Sequence, residues 1–227
     1  MFKTTLRLDP MSKTHSTRAS SANPVTTGQI VEGFRAKYYD IGNSPLGLPF
    51  VTRPHVRLIT IQPGQSILDI GCGTGEVLYQ LHKRLGDAIM LHGIDPSNDM
   101  LDVARQKLRK AANAKLELGI GEQLQFSDAS FDWVVSSLTF HHVPLEVKRA
   151  TIRESYRVLK PGGRVLISDF GKPTTWAGRA FGAWYADHAF TSDNLKDIVT
   201  ELIQEAGFSD IADTIVAGLI HHTLARK

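Results

Sequence analysis

Three groups of residues in this chain of 227 have types and spacings suited to chemistry. The first is Asp69, Gly71, Gly73 and Gly75, which closes an apolar run of Ile67, Leu68 and Ile70. Glycine is needed where the backbone takes positive φ or where a Cβ would hold a ligand away. A helix-like run follows at once, with Val77, Leu78, Leu81 and Leu85 on one face. Strand, glycine turn and helix N-terminus together predict a nucleotide-like ligand held largely by main chain. The second is Asp95 in Gly93-Ile94-Asp95-Pro96, about 20 residues beyond the loop, where an acid can accept from both ribose hydroxyls. The third is the pair His141-His142. A histidine near its ordinary pKa can deprotonate a phenol or amine, and it can equally well bond loop backbone.

The loop also says which nucleotide to expect. A dinucleotide fingerprint spaces its glycines G-x-G-x-x-G, and its helix N-terminus receives a pyrophosphate. Here the third glycine comes one residue early, and Glu76 stands where that glycine would be. A carboxylate at a helix N-terminus opposes a phosphate. An adenosine without phosphate fits better, and S-adenosylmethionine is such a ligand. A nicotinamide-dependent dehydrogenase is the rival that this arrangement disfavours.

Asp69, Gly71, Gly73 and Gly75 resemble the first motif of the class I S-adenosylmethionine-dependent methyltransferases. Further similar stretches follow in order: GIDPSNDML at 93–101, ELGIGEQLQFSDASFDWVVSSLTFHHV at 117–143 and RVLKPGGRVLISDFGKP at 157–173. The last is most similar to the ubiquinone/menaquinone-biosynthesis C-methyltransferases, and the resemblance covers roughly residues 30–227. It implies a doubly wound, mostly parallel seven-stranded α/β sheet with the last strand antiparallel. It also implies a cofactor site built from Asp69, Gly71, Cys72, Gly73, Thr74, Gly75, Asp95, Pro96, Met100, Ile120, Gly121, Glu122 and Ser137. Relatives place Asp or Asn where Ile120 stands, so here adenine is expected to meet an apolar face and the backbone of Gly121 and Glu122. The quinone enzymes carry Arg-Asn where His141 and His142 stand. These two are the candidate catalytic residues, on the side where the methyl group should emerge. Asp169 aligns with a Glu of that subgroup and either faces substrate or caps a loop. A methyl acceptor that is small or lipid-like and largely apolar is expected; a regulatory module that binds the cofactor without turnover is the alternative.

Alternating elements must position these groups. Periodicity predicts helices at 29–40, 52–60, 76–85, 97–112, 144–159 and 193–206, and strands at 66–70, 89–94, 115–118, 132–137, 163–169, 210–216 and 218–225. Leu195, Ile198, Val199, Leu202 and Ile203 make the helix at 193–206 the clearest. Strand–helix alternation implies a parallel sheet covered on both faces. Six of the eighteen aromatic residues fall within 170–190 and suggest either an apolar substrate wall or a core lid. Tyr38 and Tyr39 lie in a segment that, in relatives, folds over the cofactor.

Composition limits the classes of function. A hydrophobic content of 42% and charged content of 22% suit one globular domain. That domain is expected over 28–227 with an N-terminal helical lid, after a flexible basic tail at 1–27 that could alternatively be read as a transit peptide. A net charge of +3 without a long Lys/Arg block gives no argument for nucleic acid. Cys72 is the single cysteine, which suits a reducing, cytoplasmic compartment. No run reaches the ~20 apolar residues of a membrane span, which leaves peripheral association open. No metal site is expected from the histidines, since no Cys or acid cluster completes one. Oligomeric state is not legible.

Overall fold

A computed structural model describes residues 48–185 and 191–227. The expected tail at 1–27, the helix at 29–40, the lid and Tyr38 and Tyr39 lie outside the described residues. The chain begins with helix α1 (Leu48–Leu58), followed by β1 (Ser66–Ile70), α2 (Glu76–Leu85) and β2 (Met90–Asp95). Then come α3 (Asn98–Lys107), β3 (Ala114–Leu118), β4 (Phe131–Ser137), α4 (Leu145–Val158) and β5 (Leu159–Phe170). Helices α5 (Trp176–Tyr185), α6 (Thr191–Asn194) and α7 (Ile198–Glu205) precede β6 (Ser209–Val216) and β7 (Ile220–Arg226).

The strands form one seven-stranded sheet in the order β3-β2-β1-β4-β5-β7-β6. β1 to β5 pair in parallel, and β7 runs antiparallel to both β5 and β6. Because side chains alternate across a strand, each central strand feeds two cores. Leu68, Ile70, Val134, Val165 and Ile167 pack with Ile152 of α4 and Leu202 and Ile203 of α7. Ile67, Trp133, Val135 and Leu166 pack with Val56 of α1, Leu78 and Leu81 of α2, and Leu101 of α3. Arg84 ties two helices together on the second face, donating to the carbonyls of Val56 and Ile59 at 2.8 and 2.7 Å. A cation at that helix C-terminus also complements its dipole.

Three departures from the sequence reading have physical causes. α3 ends at Lys107, and the Leu108 N–H caps back onto the Ala104 carbonyl. The expected helix at 193–206 is two pieces, because Asp197 adopts left-handed φ (64°) between α6 and α7. α5 forms in the stretch read as an aromatic wall. Its Gly178 fits because a Cβ there would lie 2.5 Å from the Gly218 carbonyl oxygen.

Candidate active site

β1 and β4 are neighbours, and the helices that follow them, α2 and α4, cover opposite faces of the sheet. A crevice must open where the connections diverge, at the C-terminal ends of these strands. The structure holds a cleft there of about 1140 Å³, counting the solvent at its mouth.

The glycine loop makes one wall. Gly71, Gly73 and Gly75 all have positive φ, at 69°, 52° and 75°, and each serves a different purpose. A Cβ on Gly71 would collide with Thr139, whose hydroxyl donates to the Gly71 carbonyl at 3.3 Å. Around Gly73 there is open space, so a side chain there would project into solvent or ligand. Gly75 does not line the cleft; its missing Cβ lets Ala104 and Leu108 approach, at 3.0 and 3.2 Å from where that atom would be. Of the residues named from sequence, Asp69, Gly71, Cys72, Gly73, Thr74, Asp95, Pro96, Met100, Ile120, Gly121, Glu122, Ser137 and His142 line this one cleft. His141 does not. Thr52, Thr139, Val147 and Thr151 line it too, without any motif to announce them. Thr151 also explains Gly121, because a Cβ there would meet the Thr151 side chain at 2.7 Å.

Two acids dominate the electrostatics. Asp95 accepts from the Gly73 N–H at 2.8 Å and the Ser97 N–H at 2.9 Å, so it also clamps the loop. Ser97, in turn, caps α3 by accepting from the Met100 N–H. Burial raises the Asp95 carboxyl above its ordinary range, against the pull of those two backbone bonds. Asp69 is 2% exposed, and its Oδ1 has no hydrogen-bond partner. Burial, and then the nearby Asp95, push the Asp69 carboxyl well up. A buried, unsatisfied carboxylate oxygen beside a second acid calls for a cationic or hydrogen-donating ligand. At the start of α2 the Glu76 carboxylate pairs with Lys107 Nζ at 2.8 Å. Cys72 is buried with its thiol pushed up, chiefly by burial and then by Asp69 and Asp95, which makes it a poor nucleophile.

The far wall is built on a turn at Phe140–His142. Leu138 enters it with φ of 54°, rare for such a side chain. Asp169, at the end of β5, holds this turn from behind. One carboxylate oxygen accepts from the N–H groups of Phe140 and His141 at 2.7 and 3.3 Å. The other accepts from the Phe170 N–H at 2.7 Å and pairs with His141 Nδ1 at 2.8 Å. Burial alone would raise this carboxyl, but the His141 ring and the hydrogen bonds prevail and hold it below its ordinary range. His142 lies against His141 with ring centroids 3.9 Å apart and the rings tilted by 42°, and it faces the cleft. Burial, and then His141, lower its pKa to about 4, so it is neutral at physiological pH.

Comparison with known proteins now bears on this geometry. Residues 67–163 match the family model for a methyltransferase domain. Demethylmenaquinone methyltransferase of Listeria monocytogenes is 30% identical over 68% of this chain and 74% of its own length. The chain belongs to the class I S-adenosylmethionine-dependent methyltransferases. Phosphoethanolamine N-methyltransferase 2 of Caenorhabditis elegans is 35% identical over 66% of this chain, which spans 34% of that protein's length. The Haemonchus contortus phosphoethanolamine N-methyltransferase 2 bound to S-adenosyl-L-methionine is 27% identical with a TM-score of 0.61, covering 79% of this chain and 42% of that one. A methyltransferase from Aquifex aeolicus shares the fold, with 19% identity, a TM-score of 0.65, and coverage of 86% of this chain and 99% of that one.

S-adenosylmethionine is therefore the methyltransferase's cofactor, and the site suits it. The open space at Gly73 leaves room for a close ligand, and the unsatisfied Asp69 oxygen suits an ammonium or sulfonium. Among the described residues no helix is long and apolar enough to cross a membrane.

Proposed function

We propose that this enzyme methylates a small-molecule acceptor with a largely apolar body, received beside His142. The observation that carries this reading is the lining of the cleft's far end: Phe140, Val143 and Val147 flank His142, and no Lys or Arg lines the described cleft. The two named relatives act, by their names, on phosphoethanolamine and demethylmenaquinone. A wall without cations suits the ring or lipid-like class better than a phosphate, which takes Arg or Lys partners.

In this reading Asp95 accepts from the ribose hydroxyls, the loop backbone at 71–74 lies along the cofactor, and Asp69 faces its positive end. Ile120, 6% exposed, packs on the adenine, and Ser137 borders the methyl donor. The cofactor supplies a methyl group already activated by its sulfonium. The protein's work is then to align the acceptor and exclude water. His142, neutral, would take the acceptor's proton as the acceptor bonds to the methyl carbon and the sulfonium sulfur–carbon bond breaks, the sulfur keeping its electron pair; His141 and Asp169 hold the turn that presents it. The single buried thiol suits a reducing compartment such as the cytoplasm.

Incubating the enzyme with methyl-labelled S-adenosylmethionine and fractionated cell extract, read by mass spectrometry, tests the proposal. Label should enter a low-mass compound extractable into organic solvent. Label confined to RNA or protein would refute this acceptor class.

A further inference from the structure

The methionine end of the cofactor brings a carboxylate as well as an ammonium into the cleft, and the glycine loop has spent most of its donors. The Gly71 and Cys72 N–H groups both donate to the Ile94 carbonyl at 2.9 Å, and the Gly75 N–H donates to the Cys72 carbonyl at 2.8 Å. The Gly73 N–H is held by Asp95. The Thr139 hydroxyl donates to the carbonyls of Gly71 and Ser137. No Lys or Arg lines the described cleft. Taking a carboxylate out of water without hydrogen-bond donors is costly, so a donor from outside the loop is required.

We propose that the Thr52 hydroxyl of α1 is that donor, which makes Thr52 a specificity-determining residue for the carboxylate of S-adenosylmethionine. Thr52 is 3% exposed and lines the cleft. Its hydroxyl has no hydrogen-bond partner among the described residues, yet the oxygen is not sealed from solvent, so it opens into the cleft. α1 packs against α2, β4 and β5, on the half of the sheet away from Asp95 at the end of β2 and Ile120 beyond β3. Resting on the reading above, in which Asp95 takes the ribose, Ile120 the adenine and Asp69 the positive end, this half is the methionine side. Thr151, a second cleft hydroxyl, stands beside Gly121 on the adenine side instead.

Thr52 is held in place from below. His55, one turn further along α1, shares the Ser168 hydroxyl of β5 with His222 of β7, each ring Nδ1 lying 2.5 Å from it, and all three residues are fully buried. Ser168 stands in register with Ser137, and its carbonyl accepts from the Leu138 N–H at 2.8 Å. The chain therefore ties α1 to the strand ends that border the cleft, and His55 is a positioning residue for Thr52.

Calorimetric titration of the full chain with three ligands tests this: S-adenosylhomocysteine, its analogue with the carboxylate replaced by hydrogen, and 5′-methylthioadenosine, which lacks ammonium and carboxylate alike. Thr52→Val should bind S-adenosylhomocysteine about tenfold more weakly, the scale of a hydrogen bond to a charged group, and the other two as the wild type does. Thr52→Ser, which keeps the hydroxyl, should retain most of the wild-type affinity. His55→Leu should weaken S-adenosylhomocysteine alone, and the double variant should bind it no more weakly than Thr52→Val, because the two residues act in series. Unchanged S-adenosylhomocysteine affinity in folded Thr52→Val, or an equal loss for all three ligands, overturns the proposal; additive losses in the double variant overturn the role of His55. A wild type that binds the decarboxylated analogue as tightly as S-adenosylhomocysteine also overturns it, and that comparison needs no variant to fold. Asp69→Asn should weaken the two ammonium-bearing ligands and spare 5′-methylthioadenosine; it reports on the reading of Asp69, so the two fail independently.

Discussion

His55, Ser168 and His222 form a buried chain across α1, β5 and β7, and it sets an acid limit on stability that can be measured. The Ser168 hydroxyl lies between the Nδ1 atoms of the two histidines, and all three residues are fully buried. One hydroxyl can donate to one ring and accept from the other, so the arrangement fits two neutral imidazoles of opposite tautomer. Burial, and then His222, lower the His55 pKa from 6.5 to about 3. The unfolded chain takes up this proton first as the pH falls. The contribution to stability is therefore complete above pH 6.5 and is lost progressively toward pH 3. By pH 5 the loss from His55 alone is about 2 kcal/mol, at 1.36 kcal/mol for each pH unit below 6.5. Asp69 and Asp95, with raised pKa values, act in the opposite sense, so wild type must be compared with a variant that keeps them. Urea unfolding of wild type and His55→Leu at pH 7.5 and 5.0 isolates the term. The stability gap between the two proteins should shift by about 2 kcal/mol toward the variant at pH 5.0. Parallel pH dependence would show that His55 is not held neutral by burial.

His142→Ala should lower turnover about 100-fold or more, the scale of general-base loss, with affinity for S-adenosylhomocysteine unchanged. Because the His142 pKa lies at about 4, wild-type turnover on the acceptor found by labelling should climb with pH through 4 and be level from 6 to 8; a rise through 6.5 would contradict it. Asp169→Asn should destabilise the fold by about 1.5–3 kcal/mol, the scale of hydrogen bonds to a charged group, measured by thermal or urea unfolding. Gly75→Val, with left-handed φ and Ala104 in the way, should cost more than ~1 kcal/mol yet leave the cofactor affinity of the folded fraction nearly intact.

Much of the fold was legible because the central strands β1, β4 and β5 carry buried apolar runs and the helices beside them are amphipathic. β1 and α2 have the bounds that periodicity predicts, since a glycine loop with three left-handed residues allows no other join. The break at Asp197 was not legible: the apolar spacing from Leu195 to Ile203 runs through it, and only tertiary packing selects left-handed φ there. α5 was hidden for a related reason, as Gly178 and Gly182 weaken a helix on propensity alone, whereas Gly178 is there for the close approach of Gly218. At the site, motif spacing singles out residues whose backbone or carboxylate faces the cleft. It cannot tell which of two adjacent histidines faces inward; that depends on Asp169, 28 residues from His141. Thr52 belongs to no motif, because what marks it is the partner its hydroxyl lacks.

Calorimetric titration of S-adenosylhomocysteine into the wild type, with Gly73→Val beside it, tests the central claim most directly. Gly73 lines the cleft and has nothing within 4 Å of where a Cβ would stand, so a valine there would crowd a ligand lying along the loop. The account predicts one site per wild-type chain and its loss in folded Gly73→Val. No heat at millimolar ligand in the wild type, or equal binding by folded Gly73→Val, would contradict it.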